Sequence, residues 1–387
     1  MRGHIARKGK RYYAVVYEGP DPATGRPRHR WHAAGERRRD AEKLLNELVG
    51  QLHDGSYRRP ERITVADYLN ERWLPMKRSQ LRATTWHSYE QMLRLHVVPA
   101  LGARQLQQLT AHDLDALYAD LLASGRARGK GGLAVKTVHY IHTIIRKALA
   151  DAERKGTVTR NVAALADPPK LSAARQREMR IWTSEQLRQF IDLAKDHHLH
   201  AAWFLAAHTG MRRGEVLGLR WVDVNLDQAR LSVRQAIVAV GYGMEISDVK
   251  TSNGRRTIDL DARTVAVLRR HKRQQNTQRL RLGPAYDDNG LVFALPDGQP
   301  FHPDHFSGHF DRLVARSGLP IIRPHDLRHT HASLLLKAGV PVKVVSERLG
   351  HANPGFTMTV YQHVIPGMQA DAARTFSDLV HAPSVKD

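Results

Sequence analysis

The sequence predicts a multidomain chain: a small α+β N-terminal domain, an all-α middle domain and a larger, mainly α (α+β) C-terminal domain. Three observations predict it. Near the N-terminus, short β-branched and aromatic runs alternate with Gly/Pro turn clusters. From residue 62 to 155, apolar residues recur at helical spacing in stripe after stripe. Beyond a linker with a proline pair, Asp167-Pro-Pro-Lys-Leu-Ser-Ala-Ala-Arg175, helical patterns are interrupted by a few strands. The boundaries read as 1–60, 62–160 and 175–381, and 387 residues leave room for two or three domains.

In the first segment Tyr12–Tyr17 reads as a strand, closed by the turn cluster Gly19–Gly25 and followed by a second short strand, Arg28–Trp31. Asp40 caps a helix with Leu44, Leu45, Leu48 and Leu52 on one side. Arg and Lys on a small sheet backed by one helix suit a DNA groove, although a solvated basic face has the same composition. In the middle segment Thr64 and Asp67 form a capping pair for a helix carrying Tyr68, Leu69 and Trp73, expected to stop at Pro75. Trp86, Tyr89, Leu93 and Val97 stripe a second helix, expected to end before Pro99. Thr110 opens a third with Leu114, Leu117, Tyr118 and Leu121, and Val135, Val138, Ile141, Ile145 and Leu149 mark a fourth. These stripes are core, and the basic Arg126–Gly132 loop is a connector. In the last segment His200–His208 is an apolar helix running into Gly210 as C-cap. Leu231–Ile237, Met244–Val249 and Thr257–Leu260 read as strands, with a hairpin turn at Ser252-Asn253-Gly254. The remainder is mostly helical and ends in a polar tail, Ala382–Asp387.

The net charge of +22 and pI near 10.5 call for a polyanionic partner. Residues 1–60 hold 14 Lys/Arg against 7 Asp/Glu, so this end is more than twice as densely positive as the rest. Nucleic acid fits better than a membrane, since no apolar run approaches the roughly 20 residues that span a bilayer. The start MRGHIARKGKR lacks the apolar stretch of a secretory signal. Cysteine is absent, which excludes disulfides and Cys-ligated zinc and fits the cytosol. Composition alone would also suit a basic ribosomal or structural protein.

The residues with chemistry lie late. His325 and Arg328, in His325-Asp-Leu-Arg328-His after Pro324, share a helix face. His325 falls in the first turn, where a helix end favours anions. Gly350 closes the next short helix and sets His351 just past it, and Tyr361 follows ten residues later. Arg212 and Glu215 lie in Thr209-Gly-Met-Arg-Arg-Gly-Glu215. Guanidiniums grip phosphate oxygens with paired hydrogen bonds, imidazoles move protons near neutral pH, and a phenolic oxygen can form a covalent intermediate. Taken singly each has a plain alternative: one of 23 histidines, a surface arginine beside a turn, a packed core tyrosine. No cluster of carboxylates offers a hard-metal site and no Walker-type or dinucleotide-type glycine loop occurs, so neither metal nor cofactor is expected.

Jointly, in this order and spacing, these motifs resemble the tyrosine recombinase (phage integrase) family over most of the chain. The resemblance implies a catalytic domain of tyrosine recombinase type at 175–381 and a core-binding domain at 62–160. Residues 1–60 are similar to the arm-binding domain of integrases from phages and integrative plasmids. By position, Tyr361 would be the nucleophile forming a 3′-phosphotyrosyl bond, with Arg212 and Arg328 clamping the non-bridging oxygens. Lys250, in Val249-Lys-Thr-Ser-Asn-Gly, would protonate the leaving 5′ oxygen. His325 would assist proton transfer at the tyrosine, His351 would hydrogen-bond the phosphate, and Glu215 would orient its neighbours. Arg213-Gly214 departs from the commoner small or apolar pair. The implied partners are double-stranded attachment-site DNA, three further copies of the chain in a tetramer exchanging strands through a Holliday junction, and an excisionase or DNA-bending protein. The implied setting is the bacterial cytoplasm, at the nucleoid when bound. The chemistry is coherent by itself: a phenol of pKa about 10 needs a base or nearby positive charge to attack, and a covalent ester lets strands rejoin without ATP. Other readings are a Xer-like resolving recombinase, a type IB topoisomerase, and a non-catalytic architectural or regulatory DNA-binding protein.

Overall fold

The computed structural model describes residues 3–21, 24–53, 62–126, 131–173, 179–248, 254–351, 353–361 and 368–381. They form two compact units, residues 1–80 with 89–174 and residues 81–88 with 175–387.

In the first unit, β1 (Gly3–Lys8), β2 (Arg11–Pro20) and β3 (Pro27–Gly35) form an antiparallel sheet in that order. Strand β1 goes beyond the sequence expectation, because Gly-His-Ile-Ala-Arg-Lys carries almost no apolar alternation. Its register, with Lys8 opposite Arg11, closes a two-residue turn in which Gly9 takes φ +63°, the left-handed conformation that tight hairpins require. Helix α1 (Arg38–His53) begins two residues before Asp40, which sits in its first turn rather than at the cap. It lays Leu44, Leu45, Leu48 and Leu52 on Ala14 and Val16.

The same unit holds four helical runs: α2 (65–78), α3 (83–101, of which 89–101 belong to this unit), α4 (Ala111–Ser124) and α5 (Val135–Arg154). The caps at Thr64 and Thr110 form as expected, each hydroxyl accepting the N–H of the aspartate three residues on. The two proline stops do not. Both helices pass through their proline after a widened turn: Leu74 N–H reaches back five residues to Leu69 O, and Val98 N–H to Leu93 O. A wide turn relieves the clash that a proline ring makes with the preceding carbonyl, so Pro75 and Pro99 are tolerated. The stripes pack as core, and Asp151 is buried at their centre, accepting from Trp73 Nε1 at 2.9 Å and pairing with Lys77 at 2.8 Å.

The second unit is built on an aromatic core of Trp182, Phe190, Trp203, Phe306 and Phe310. Helices α6 (Ser184–Leu193), α7 (His200–Thr209) and α8 (Arg213–Leu217) precede the strands. Strands β4 (Val224–Asn225), β5 (Arg230–Val233) and β8 (Arg256–Asp259) form one small sheet, while β6 (Gln235–Val240) and β7 (Gly243–Asp248) pair as a hairpin. The expected single strand Leu231–Ile237 is thus split between two sheets. Pairing also differs from the Asn-Gly hairpin read from the sequence. Val240 faces Gly243 across a Gly241-Tyr242 turn with Gly241 at φ +62°, and β8 pairs with β5 instead of with β7. The turn at Ser252-Asn253 itself lies outside the described residues. The long helix α9 (Ala262–Leu282) and α10 (Pro303–Arg316) follow, then α11 (Asp326–Lys337), α12 (Val342–Leu349), α13 (Pro354–Tyr361) and α14 (Met368–His381).

Candidate active site

The site is assembled from helix ends. Helix α7 terminates at Gly210, which takes φ +65° as a left-handed cap. Helix α12 terminates at Leu349, with Gly350 left-handed behind it. The last carbonyls of a helix lack partners inside it and carry the negative end of its dipole. Arg328, on the first turn of α11, satisfies one from each helix: Nη1 donates to Gly210 O and Nη2 to Leu349 O, both at 2.7 Å. Only 3% of Arg328 is exposed. Burial, with the charge of Arg212, pulls its pKa down to about 9, so it remains a cation at neutral pH.

Arg212 is the extended residue that starts α8, three positions before Glu215. That spacing lets Arg212 donate twice to one carboxylate: its backbone N–H to Glu215 Oε2 at 3.0 Å and Nη1 to Oε1 at 2.7 Å. Its guanidinium stays open, with 41% of the side chain exposed. Glu215 is buried and takes a second guanidinium, Arg256 of β8, at 2.8 Å. Burial alone would push the Glu215 carboxyl up, but the hydrogen bond and charge of Arg256, with Arg212, hold it below the usual range. Arg256 also donates from Nε to Arg348 O at 2.8 Å. Two guanidiniums therefore share one carboxylate while Arg328 adds a third positive charge nearby, and the surplus is what an anionic ligand would neutralise.

The imidazoles are neutral in the resting protein. His325 caps α11, and burial, with His329 and Arg328, pulls its pKa down to about 4. His351 lies just past α12 with Nδ1 2.7 Å from Thr357 Oγ1; burial, then Arg328 and Arg212, depress it to about 4. Tyr361 ends α13, 1% exposed, its ring packed with Ala332, Leu336, Val345 and Leu349. Its hydroxyl is 2.7 Å from Nδ1 of His329. Burial drives the phenol up to about 12 against the pull of Arg328, so it is protonated at rest.

The fold thus brings together Arg212, Glu215, His325, Arg328, His351 and Tyr361. Lys250 and the Ser252-Asn253 part of its turn lie outside the described residues. The ring on the tyrosine hydroxyl is His329, one helical turn beyond His325, because i and i+4 side chains stack along one face; His325 meets His329 edge-on at 5.1 Å. Sequence reasoning gave no role to His329, Arg256, Arg348 or Thr357. Strand alternation could have found Arg256, which shares a face with the buried Ile258. Arg213 turns away to Pro303 O and Ser307 on α10, so the cation of that pair beside Glu215 is Arg212. Among the described residues one group has metal-donor spacing, His197, His198 and His309. The Leu199 N–H occupies Nδ1 of His197 at 3.1 Å, which favours an aromatic cluster on Trp203 and Phe301 over a metal centre.

Comparison with known proteins shows which family the chain resembles. Residues 180–367 match the phage integrase family, and residues 64–122 match the phage integrase N-terminal SAM-like domain. A protein named tyrosine recombinase XerC-like from Caldanaerobacter subterraneus subsp. tengcongensis is 26% identical over 97% of this chain and 98% of its own. An integrase of Streptomyces ambofaciens is 29% identical over 95% and 94%. Among solved structures, the Tn1549 transposon integrase in complex with a circular intermediate DNA has a TM-score of 0.64 at 19% identity, covering 82% of this chain and 99% of that one. The chain belongs to the phage integrase family and is a tyrosine site-specific recombinase, an enzyme of DNA strand breakage and rejoining. No helix among the described residues is long and apolar enough to cross a membrane.

Proposed function

We propose that this integrase inserts a mobile element into a host chromosome and excises it again, with Tyr361 as the nucleophile. The Tyr361 oxygen attacks the scissile phosphorus, a bond forms from phosphorus to the phenolic oxygen, and the bond to the 5′ oxygen breaks. Lys250 returns a proton to that leaving oxygen, and His325 assists the proton transfer at the tyrosine. Arg212 and Arg328 hold the non-bridging oxygens, where charge builds in the transition state, and His351 adds a hydrogen bond. Glu215 keeps Arg212 in position. Rejoining reverses the step with the 5′ hydroxyl of the other duplex. Each protomer carries one Tyr361 and two duplexes present four strands, which calls for four protomers on paired attachment sites. An excisionase or DNA-bending protein would set direction, and the work is done at the bacterial nucleoid.

One observation carries this reading: a buried tyrosine hydroxyl beside a guanidinium cluster that holds more positive charge than its single carboxylate balances. The test is a nicked half-site whose short 5′ fragment diffuses away after cleavage. Wild-type protein should form a covalent adduct on a denaturing gel and Tyr361→Phe none. Arg212→Ala and Arg328→Ala should lower adduct formation by a factor on the order of a hundred or more while still shifting the DNA. An adduct with Tyr361→Phe would remove the assignment. A resolving recombinase is the second reading, favoured by the name of the Caldanaerobacter relative; it would recombine two identical sites, whereas an integrase joins two unlike ones.

A further inference from the structure

We infer that His329 is a catalytic residue of this reaction, the imidazole that takes the phenolic proton from Tyr361 on cleavage and returns it on rejoining. This rests on Tyr361 being the nucleophile. The geometry is direct: His329 Nδ1 and the Tyr361 hydroxyl are 2.7 Å apart, with ring centroids at 5.7 Å. The contact joins α11 to the end of α13, and the apolar packing of Tyr361 leaves the hydroxyl this imidazole as its hydrogen-bond partner among the described residues.

The charges around the pair fit the transfer. On its own helix and the residues before it, His329 faces Asp326, Arg328, Arg323 and His325; from other elements it faces Tyr361 and His351. Burial keeps His329 neutral at rest, with a lone pair available, and Asp326 favours its charged form. On attack the O–H bond of Tyr361 breaks as the oxygen–phosphorus bond forms, and the proton moves to Nδ1. The resulting imidazolium is balanced by the charge gathering on the phosphoryl oxygens. On rejoining the phenolic oxygen is the leaving group, and the same proton returns to it. His325, edge-on to His329, stands behind it in this transfer.

The experiment is single-turnover cleavage of the nicked half-site across pH by wild type, His329→Ala and His329→Gln. Wild-type cleavage should be flat from near pH 6.5 upward. Both variants should bind DNA normally and cleave roughly 100-fold more slowly at neutral pH, a typical loss for one proton acceptor. Their rates should keep climbing with pH, because the phenol must then ionise to solvent. Added imidazole should restore part of the rate of His329→Ala. Variant rates within threefold of wild type would overturn the inference, as would a loss neither lifted by high pH nor rescued by imidazole. If His329→Ala does not fold, as judged by circular dichroism, the glutamine variant decides by the same pH profile. Failure of the underlying reading looks different: there, Tyr361→Phe itself forms the adduct.

Discussion

A side chain can matter to this site by holding its neighbours in place. Among the described residues, Arg256 holds Glu215 and donates to the Arg348 and Gly254 carbonyls. Replacing it with methionine leaves a buried carboxylate with one partner fewer, which costs about 3–5 kcal/mol where a buried ion pair is broken. Arg256→Met should therefore lower the melting temperature and weaken cleavage more than binding; an unchanged melting curve would mean that Glu215 finds its compensation elsewhere. Gly210 offers a sharper case. Its φ of +65° disfavours any side chain, and an added Cβ would sit 2.5 Å from Leu349 Cδ2 and 2.9 Å from His331 Cδ2. Gly210→Ala should destabilise the catalytic unit by about 1–3 kcal/mol and also displace the carbonyl that holds Arg328. The check is urea unfolding together with the adduct assay: a variant of full stability and full activity would show that this carbonyl is dispensable.

At the scale of elements, the first 60 residues are more than twice as densely positive as the rest of the chain taken together, and their function is a separate matter from the chemistry. If residues 1–60 bind DNA apart from the cleavage site, their removal should leave half-site cleavage nearly intact. It should also flatten the dependence of total DNA affinity on salt, by close to one logarithmic unit of slope per lost phosphate contact. An unchanged slope and unchanged integration would remove the arm-binding role. What the sequence disclosed about elements followed the range of the interaction. Thr64, Thr110 and Gly210 were legible as caps because capping is settled within four residues. Pro75 and Pro99 misled because tolerance of a proline depends on a widened turn, a backbone adjustment with no residue signature. Asn253-Gly254 misled for another reason: turn propensity says where a chain can reverse, not which strands then pair, and β8 found β5. The motif residues Arg212, Glu215, Arg328, His351 and Tyr361 could be named as a group, but the Arg256–Glu215 and His329–Tyr361 contacts could not. They span 41 and 32 residues, and only the assembled helix ends bring them into register.

For the molecule as a whole, the buried histidines set an acid limit. His331 is held by Ala207 O and Arg348, and burial, with Arg348, depresses it to about 3. Its folded pKa lies below the unfolded value of 6.5, so between these limits the unfolded chain binds the extra proton and stability falls as pH falls. The loss from this one group is about 1.4 kcal/mol for each pH unit below roughly 6, and His325 and His351 act in the same direction. Melting temperatures should be level from pH 8 to 6.5 and drop steeply toward pH 4. His331→Gln should soften the drop, and a flat profile in the wild type would contradict the burial of these rings.

Arg328 is anchored by carbonyls 118 residues before it and 21 residues after it. A nascent chain still on the ribosome, lacking its last helices, cannot hold this guanidinium and carries no Tyr361. If Tyr361 is the nucleophile, strand cleavage therefore starts only once α13 has been made and docked, and a copy terminated before that residue forms no covalent bond to DNA.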